Sequence, residues 1–139
     1  MSKNLLIAFV FVYVLLPAVS SVYAQSAPVL YFCERYDSYD GEIGISDRFT
    51  EGYLTVVVKS DYAMGLRDVS IQFDRFDQNS RRFKYYKKFN YTIEPDMKYV
   101  YFSKNDESDM SFDDPGFYRV YLLNKNDETI ASALVQIIE

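Results

Sequence analysis

The sequence predicts an all-β fold, a sandwich of antiparallel sheets built from about seven strands. Three observations carry that expectation. No window of useful length sets apolar residues at helical spacing, whereas several alternate with a period of two. Aromatic residues make up 18% of the chain, with 14 tyrosines and no tryptophan, a composition that suits half-buried strands better than helices. The alternating runs are separated by clusters of turn-forming residues, the spacing expected of a two-sheet sandwich.

The elements follow in order. Lys3 precedes an unbroken apolar run, "LLIAFVFVYVLL", which ends at Pro17 in small and polar residues, the pattern of a secretory signal peptide. Val22 and Ala24 supply small residues for a cut after Ala24, so residues 1–24 are the signal and 25–139 one mature domain. The apolar run is shorter than the ~20 residues that cross hydrocarbon, so no stable membrane insertion is expected after cleavage. Cleavage leaves 115 of 139 residues, enough for one domain, and removes one lysine and no acid, which moves the formal net charge from −5 to −6. Nucleic acid is not an expected partner for such a surface.

The first strand runs through "PVLYFC" and is followed by a long polar loop from Glu34 to Glu51. "GYLTVVVKS" sets Leu54, Val56 and Val58 on one face and Tyr53, Thr55 and Lys59 on the other. "VSIQFDRF" alternates Val69, Ile71 and Phe73 with Ser70, Gln72 and Asp74. The turn "DQNS" leads into "RRFKYYKKFNYTI", which Glu94 and Pro95 end, and "KYVYF" resumes as a short strand. After an acidic loop come "GFYRVYLL" and "TIASALVQII", joined by the turn residues "NKNDE".

"DPGFYRV" resembles the start of strand F in immunoglobulin-like domains, where an aspartate, a glycine and a tyrosine alternate: here Asp114, Gly116 and Tyr118. The resemblance is to an immunoglobulin-like or fibronectin-like β-sandwich of an exported protein, at the level of fold. It implies a structural corner in which the Tyr118 ring is buried and its hydroxyl bonds back to nearby backbone. It further implies Val56 and Val120 in place of the two bridge cysteines, and Ile71 or Phe73 in place of the core tryptophan.

The stretch "RRFKYYKKFNYTI" is the most unusual in the chain. Read as a strand, it puts Phe83, Tyr85, Lys87, Phe89, Tyr91 and Ile93 on a core face, with Arg82, Lys84, Tyr86 and Lys88 forming a wet basic strip. Lys87 interrupts the apolar face and predicts near Tyr86 either a bulge or a strand switch that carries the chain from one sheet to the other. Lysines of this kind guard an edge strand, or they hold an anionic partner weakly and in a salt-dependent way. Asp106, Glu107, Asp109, Asp113 and Asp114 are the nearest complement in the sequence.

The chemistry that is missing narrows function. The chain has no histidine, which removes the commonest general base and most transition-metal sites, and it shows no motif of an enzyme. No catalytic residue, metal site or cofactor is expected. The single cysteine excludes an internal disulfide; Cys33 reads as a buried small hydrophobe or, as the minor alternative, as a link to a second chain. Within the 34–51 loop, Arg35, Tyr36, Tyr39, Asp40 and Arg48 are residue types that anchor partners.

The expectation is therefore an exported, non-catalytic interaction or structural module of the periplasm, envelope or exterior, with another protein or an envelope glycan as partner. The alternative is a small carbohydrate-binding protein that uses exposed tyrosines, whose tyrosine fluorescence soluble sugars would quench.

Overall fold

A computed structural model describes residues 26–105 and 107–139; the signal-peptide segment and Asp106 lie outside the described residues. The elements are β1 (Val29–Cys33), β2 (Arg35–Asp37), β3 (Gly41–Ile43), β4 (Arg48–Thr50), β5 (Gly52–Tyr53), β6 (Thr55–Lys59), β7 (Asp68–Asp77), β8 (Arg82–Thr92), β9 (Tyr99–Phe102), β10 (Ser111–Phe112), β11 (Gly116–Asn124) and β12 (Thr129–Ile138). The seven expected strands are present as β1, β6, β7, β8, β9, β11 and β12.

They form two facing sheets. One has the order β1-β6-β9; the other has the order β4-β12-β11-β7-β8, with β4 parallel to β12 and its other neighbours antiparallel. The inward side chains of the small sheet, among them Leu30, Phe32, Val56, Val58, Val100 and Phe102, share one core with Val69, Ile71, Phe73, Tyr118, Val120, Leu122, Val135 and Ile137 of the large sheet. Val56 and Val120 are both fully buried there, so burial does the work of the absent bridge. Met110 and Phe112 add to the same core, Phe112 making edge contacts with Phe73 at 5.0 Å and Tyr118 at 5.1 Å.

The polar stretch from Glu34 to Glu51 is not a loop. It folds into the β2–β3 hairpin and then β4, which adds to the edge of the large sheet. Asp37 Oδ1 accepts the Tyr39 and Asp40 amides, and Gly41, at φ 74°, closes the turn in a left-handed conformation. The strands are only three residues each, too short for alternation to register in sequence. The polar side of the small sheet is not wet throughout: Cys33 and Val57 are 0% exposed and Thr55 is also buried, although the alternation turns them away from the shared core. Cys33 is thus a free, buried small hydrophobe, the first of its two expected readings.

The bulge on β8 falls where the pattern placed it. Phe73 pairs with Lys87 and Asp74 with Tyr85, leaving Tyr86 as the extra residue. Its effect on the faces was not foreseen, because one extra residue reverses the alternation on its N-terminal side. Lys87, Phe89, Tyr91 and Ile93 keep the inward face, but Tyr85 is exposed, Phe83 packs with Phe76 at 5.3 Å on the outer face, and Tyr86 turns in against Tyr118 at 5.4 Å.

Candidate functional site

The expected binding residues do not meet in one place. Tyr39 is 97% exposed in the β2–β3 turn beside Asp40. Arg35 lies 3.9 Å from Asp37. Tyr36 instead stacks on Tyr101 at 4.0 Å against β9. Arg48, on β4, donates from Nε to Gln136 at 3.0 Å on the outer face of the large sheet.

The basic strip is likewise divided by the bulge. Arg82, Lys84 and Tyr86 project to one side of β8, and Lys88 to the other. Lys84 is paired with Asp77 and Lys88 with Asp127, so neither reaches the acidic loop. It is Lys87 that does so. Its ammonium donates to the Asp109 and Ser111 carbonyls and sits 4.8 Å from the centre of the Phe112 ring. Burial holds the Lys87 pKa below the usual lysine range, against the opposing pull of Asp109, Asp113 and Asp114.

A polar cluster on the small sheet was also not foreseen. Glu42, from β3, accepts the Tyr31 hydroxyl and lies 3.1 Å from Lys59 Nζ. The Tyr31 bond first, and Lys59 next, pull the Glu42 carboxyl down to about 2 from an ordinary 4.5. The Tyr99 hydroxyl is buried beside them with no hydrogen-bond partner among the described residues, and burial raises its pKa. A carboxylate stabilised in the fold binds protons less readily there than in the unfolded chain. Its contribution is therefore complete above the ordinary carboxylate range and is lost as the pH falls from about 4.5 to about 2. Asp77, lowered to about 2 chiefly by Lys84, acts in the same window. Urea midpoints measured between pH 6 and pH 2 should fall in that interval, with a shallower fall in Glu42→Gln; identical slopes would remove Glu42 as a cause.

Three large apolar side chains are exposed on the outer face of the five-stranded sheet. Tyr85 is 65% exposed, Leu134 50% and Phe117 46%. Register brings them together: Arg119 pairs with Leu134 on one side and with Asp74 on the other, and Asp74 pairs with Tyr85. The Arg119 guanidinium lies 4.6 Å over the Phe83 ring, which fixes a cation among the aromatic groups. Sequence reasoning missed this face, although β11 carries a signal of it in large side chains at both phases of its alternation. Tyr118, Val120 and Leu122 explain its core, but Phe117, Arg119 and Tyr121 alternate with them and need a second explanation.

Near this face, at the start of β11, the Tyr118 hydroxyl donates to the Asp114 carbonyl at 2.6 Å, while Arg75 reaches the Pro115 carbonyl at 2.9 Å and the Asp114 carboxylate at 3.7 Å. The first, second and fifth of the seven main strands share one sheet and the other four share the second, with this tyrosine at the crossover. The chain folds as an immunoglobulin-like sandwich. In the solved structures it is similar to an immunoglobulin-like protein from Pseudomonas aeruginosa, 10% identical, covering 83% of this chain and 99% of that one with a TM-score of 0.48. No family description matches the sequence, and no curated protein matches it.

On the same large sheet a polar groove of about 670 Å³ runs past Asn90, Asn124, Lys88 and Asp127. Asn90 accepts from the Ser70 hydroxyl at 2.8 Å and Asn124 donates to Glu128 at 2.7 Å, so its amides are partly committed within the fold. No group of three or more metal-binding side chains is gathered among the described residues.

Proposed function

We propose that this chain is an exported, non-catalytic interaction module that holds a protein partner on the outer face of its five-stranded sheet. The observation that supports this reading is a row of register neighbours on that face, Leu134, Arg119, Asp74 and Tyr85, flanked by Phe117, which exposes three large apolar side chains with Arg119 and Asp74 between Leu134 and Tyr85. Leaving them in water forgoes burial free energy on the order of 25 cal/mol per Å², and apolar side chains exposed on one face among polar residues are a feature of interaction sites on soluble domains. Tyrosine and arginine are also residue types that dominate binding energy at interfaces. The sequence has no histidine, the commonest general base, which favours binding over turnover.

The test uses residues 25–139 as bait on an envelope extract of the native host, beside a Phe117→Ser, Leu134→Ser variant and an Arg82→Glu, Lys84→Glu, Lys88→Glu variant. A protein held by the first and third and lost by the second is expected. Removing anchors worth about 2 kcal/mol each weakens binding by roughly 30-fold per residue. Equal retention by the apolar-face variant would overturn this reading.

A further inference from the structure

We infer that the free edge of β9 accepts an extended segment of another protein as an added strand. β9 pairs only with β6, so its opposite edge has no strand partner among the described residues. Ser60 donates to the Lys98 carbonyl at 2.8 Å, and that bond sets the phase of the ladder. Lys98, Val100 and Phe102 turn their peptide groups toward β6, and Tyr99 and Tyr101 turn theirs outward. Four main-chain hydrogen-bonding groups thus face the side where a fourth strand would lie in a four-stranded sheet of this architecture.

What lies along that edge also suits a strand. A groove of about 280 Å³ opens between β9 and β8, lined by Ile93, Met97, Val100 and Phe102, with Tyr91 and Tyr36 at its sides. The Tyr36 ring, stacked on Tyr101, closes the outer side. An incoming strand would send alternate side chains into this apolar groove while its backbone meets Tyr99 and Tyr101.

The β9 strand of a second copy does not supply what the groove needs. The inward residues of its own β9, Val100 and Phe102, are already buried in its core, and its outward residues, Tyr99 and Tyr101, face the other way. A segment of another protein with apolar residues at every second position fits both the edge and the groove. This site is separate from the aromatic face of the large sheet, so either assignment can fail without the other.

The test is amide hydrogen exchange on residues 25–139 with a ten-residue probe of alternating valine and threonine, ending in glutamates to sit near Lys98 and Lys104. The expected result is about tenfold slower exchange at the Tyr99 and Tyr101 amides. Tyr101→Pro removes an outward N–H that β6 does not use, and should abolish the protection. Should that variant not fold, two probes N-methylated on alternate residues carry the same test on the unaltered chain: one set blocks protection and the other preserves it. Phe117→Ser should leave the protection unchanged. Unaltered exchange at millimolar probe, protection that survives Tyr101→Pro, or equal protection by both methylated probes would overturn the inference. So would protection that appears without probe as protein concentration rises, since that places a second copy on the edge.

Discussion

Tyr118→Ala should lower the stability of the domain by about 3–5 kcal/mol, the range for removing a large buried aromatic side chain. Tyr118 is fully buried, meets Phe112 edge-on at 5.1 Å and Tyr86 at 5.4 Å, and donates its hydroxyl to the Asp114 carbonyl. Its loss opens a cavity at the junction of β8, β10 and β11 and frees the turn that enters β11. In a chain of this size the thermal midpoint should drop by roughly 10–18 °C. Tyr118→Phe separates the two contributions, because it keeps the ring and removes only the hydrogen bond, at about 1 kcal/mol. Urea denaturation of both variants provides the check. An alanine variant within 1 kcal/mol of the parent, or a phenylalanine variant as weak as the alanine one, would contradict this account of the corner.

Lys87→Met should cost about 1–3 kcal/mol although methionine fills nearly the same space. The ammonium of Lys87 satisfies two backbone carbonyls of the acidic loop and covers the Phe112 ring, so the apolar replacement leaves both carbonyls without that donor. The effect should be local as well as global. Amides from Met110 to Phe112 should exchange faster than in the parent while those of β7 and β11 follow only the overall loss. Unchanged stability together with unchanged exchange around Met110 would show that the loop is held by other contacts.

Lys87 also shows how far a one-dimensional pattern reaches. A charge on an otherwise apolar face was a sound signal of irregularity, and the extra residue lies at Tyr86, beside it. The consequence for the faces was lost because alternation was extended through the bulge as though the strand were regular. A regular strand would put Phe83 and Tyr85 in the core and the basic residues in one strip. The three-residue strands β2, β3 and β4 were invisible for a different reason, since they depend on a turn at Asp37 and on the edge of β12 rather than on local periodicity.

The Tyr31, Glu42 and Lys59 cluster illustrates the same limit for polar groups. Its members come from three strands, and nothing in the spacing of 31, 42 and 59 announces that one carboxylate will receive both a hydroxyl and an ammonium. The aromatic outer face was partly legible, since β11 has apolar residues at both phases of its alternation. A strand with only one buried face does not require that.

The sequence by itself determined the all-β class, the seven main strands, the core residues of β6, β7 and β11, and the tyrosine at the start of β11. Each rests on local period, turn chemistry or the simple need to bury apolar side chains. Only the tertiary structure decided which residues share a surface: the division of the basic strip, the aromatic groups around Arg119 and the open edge of β9. The physical reason is that a surface is assembled across strands distant in sequence. Its composition follows from register and from which edges remain unpaired, and one inserted residue is enough to exchange its two faces.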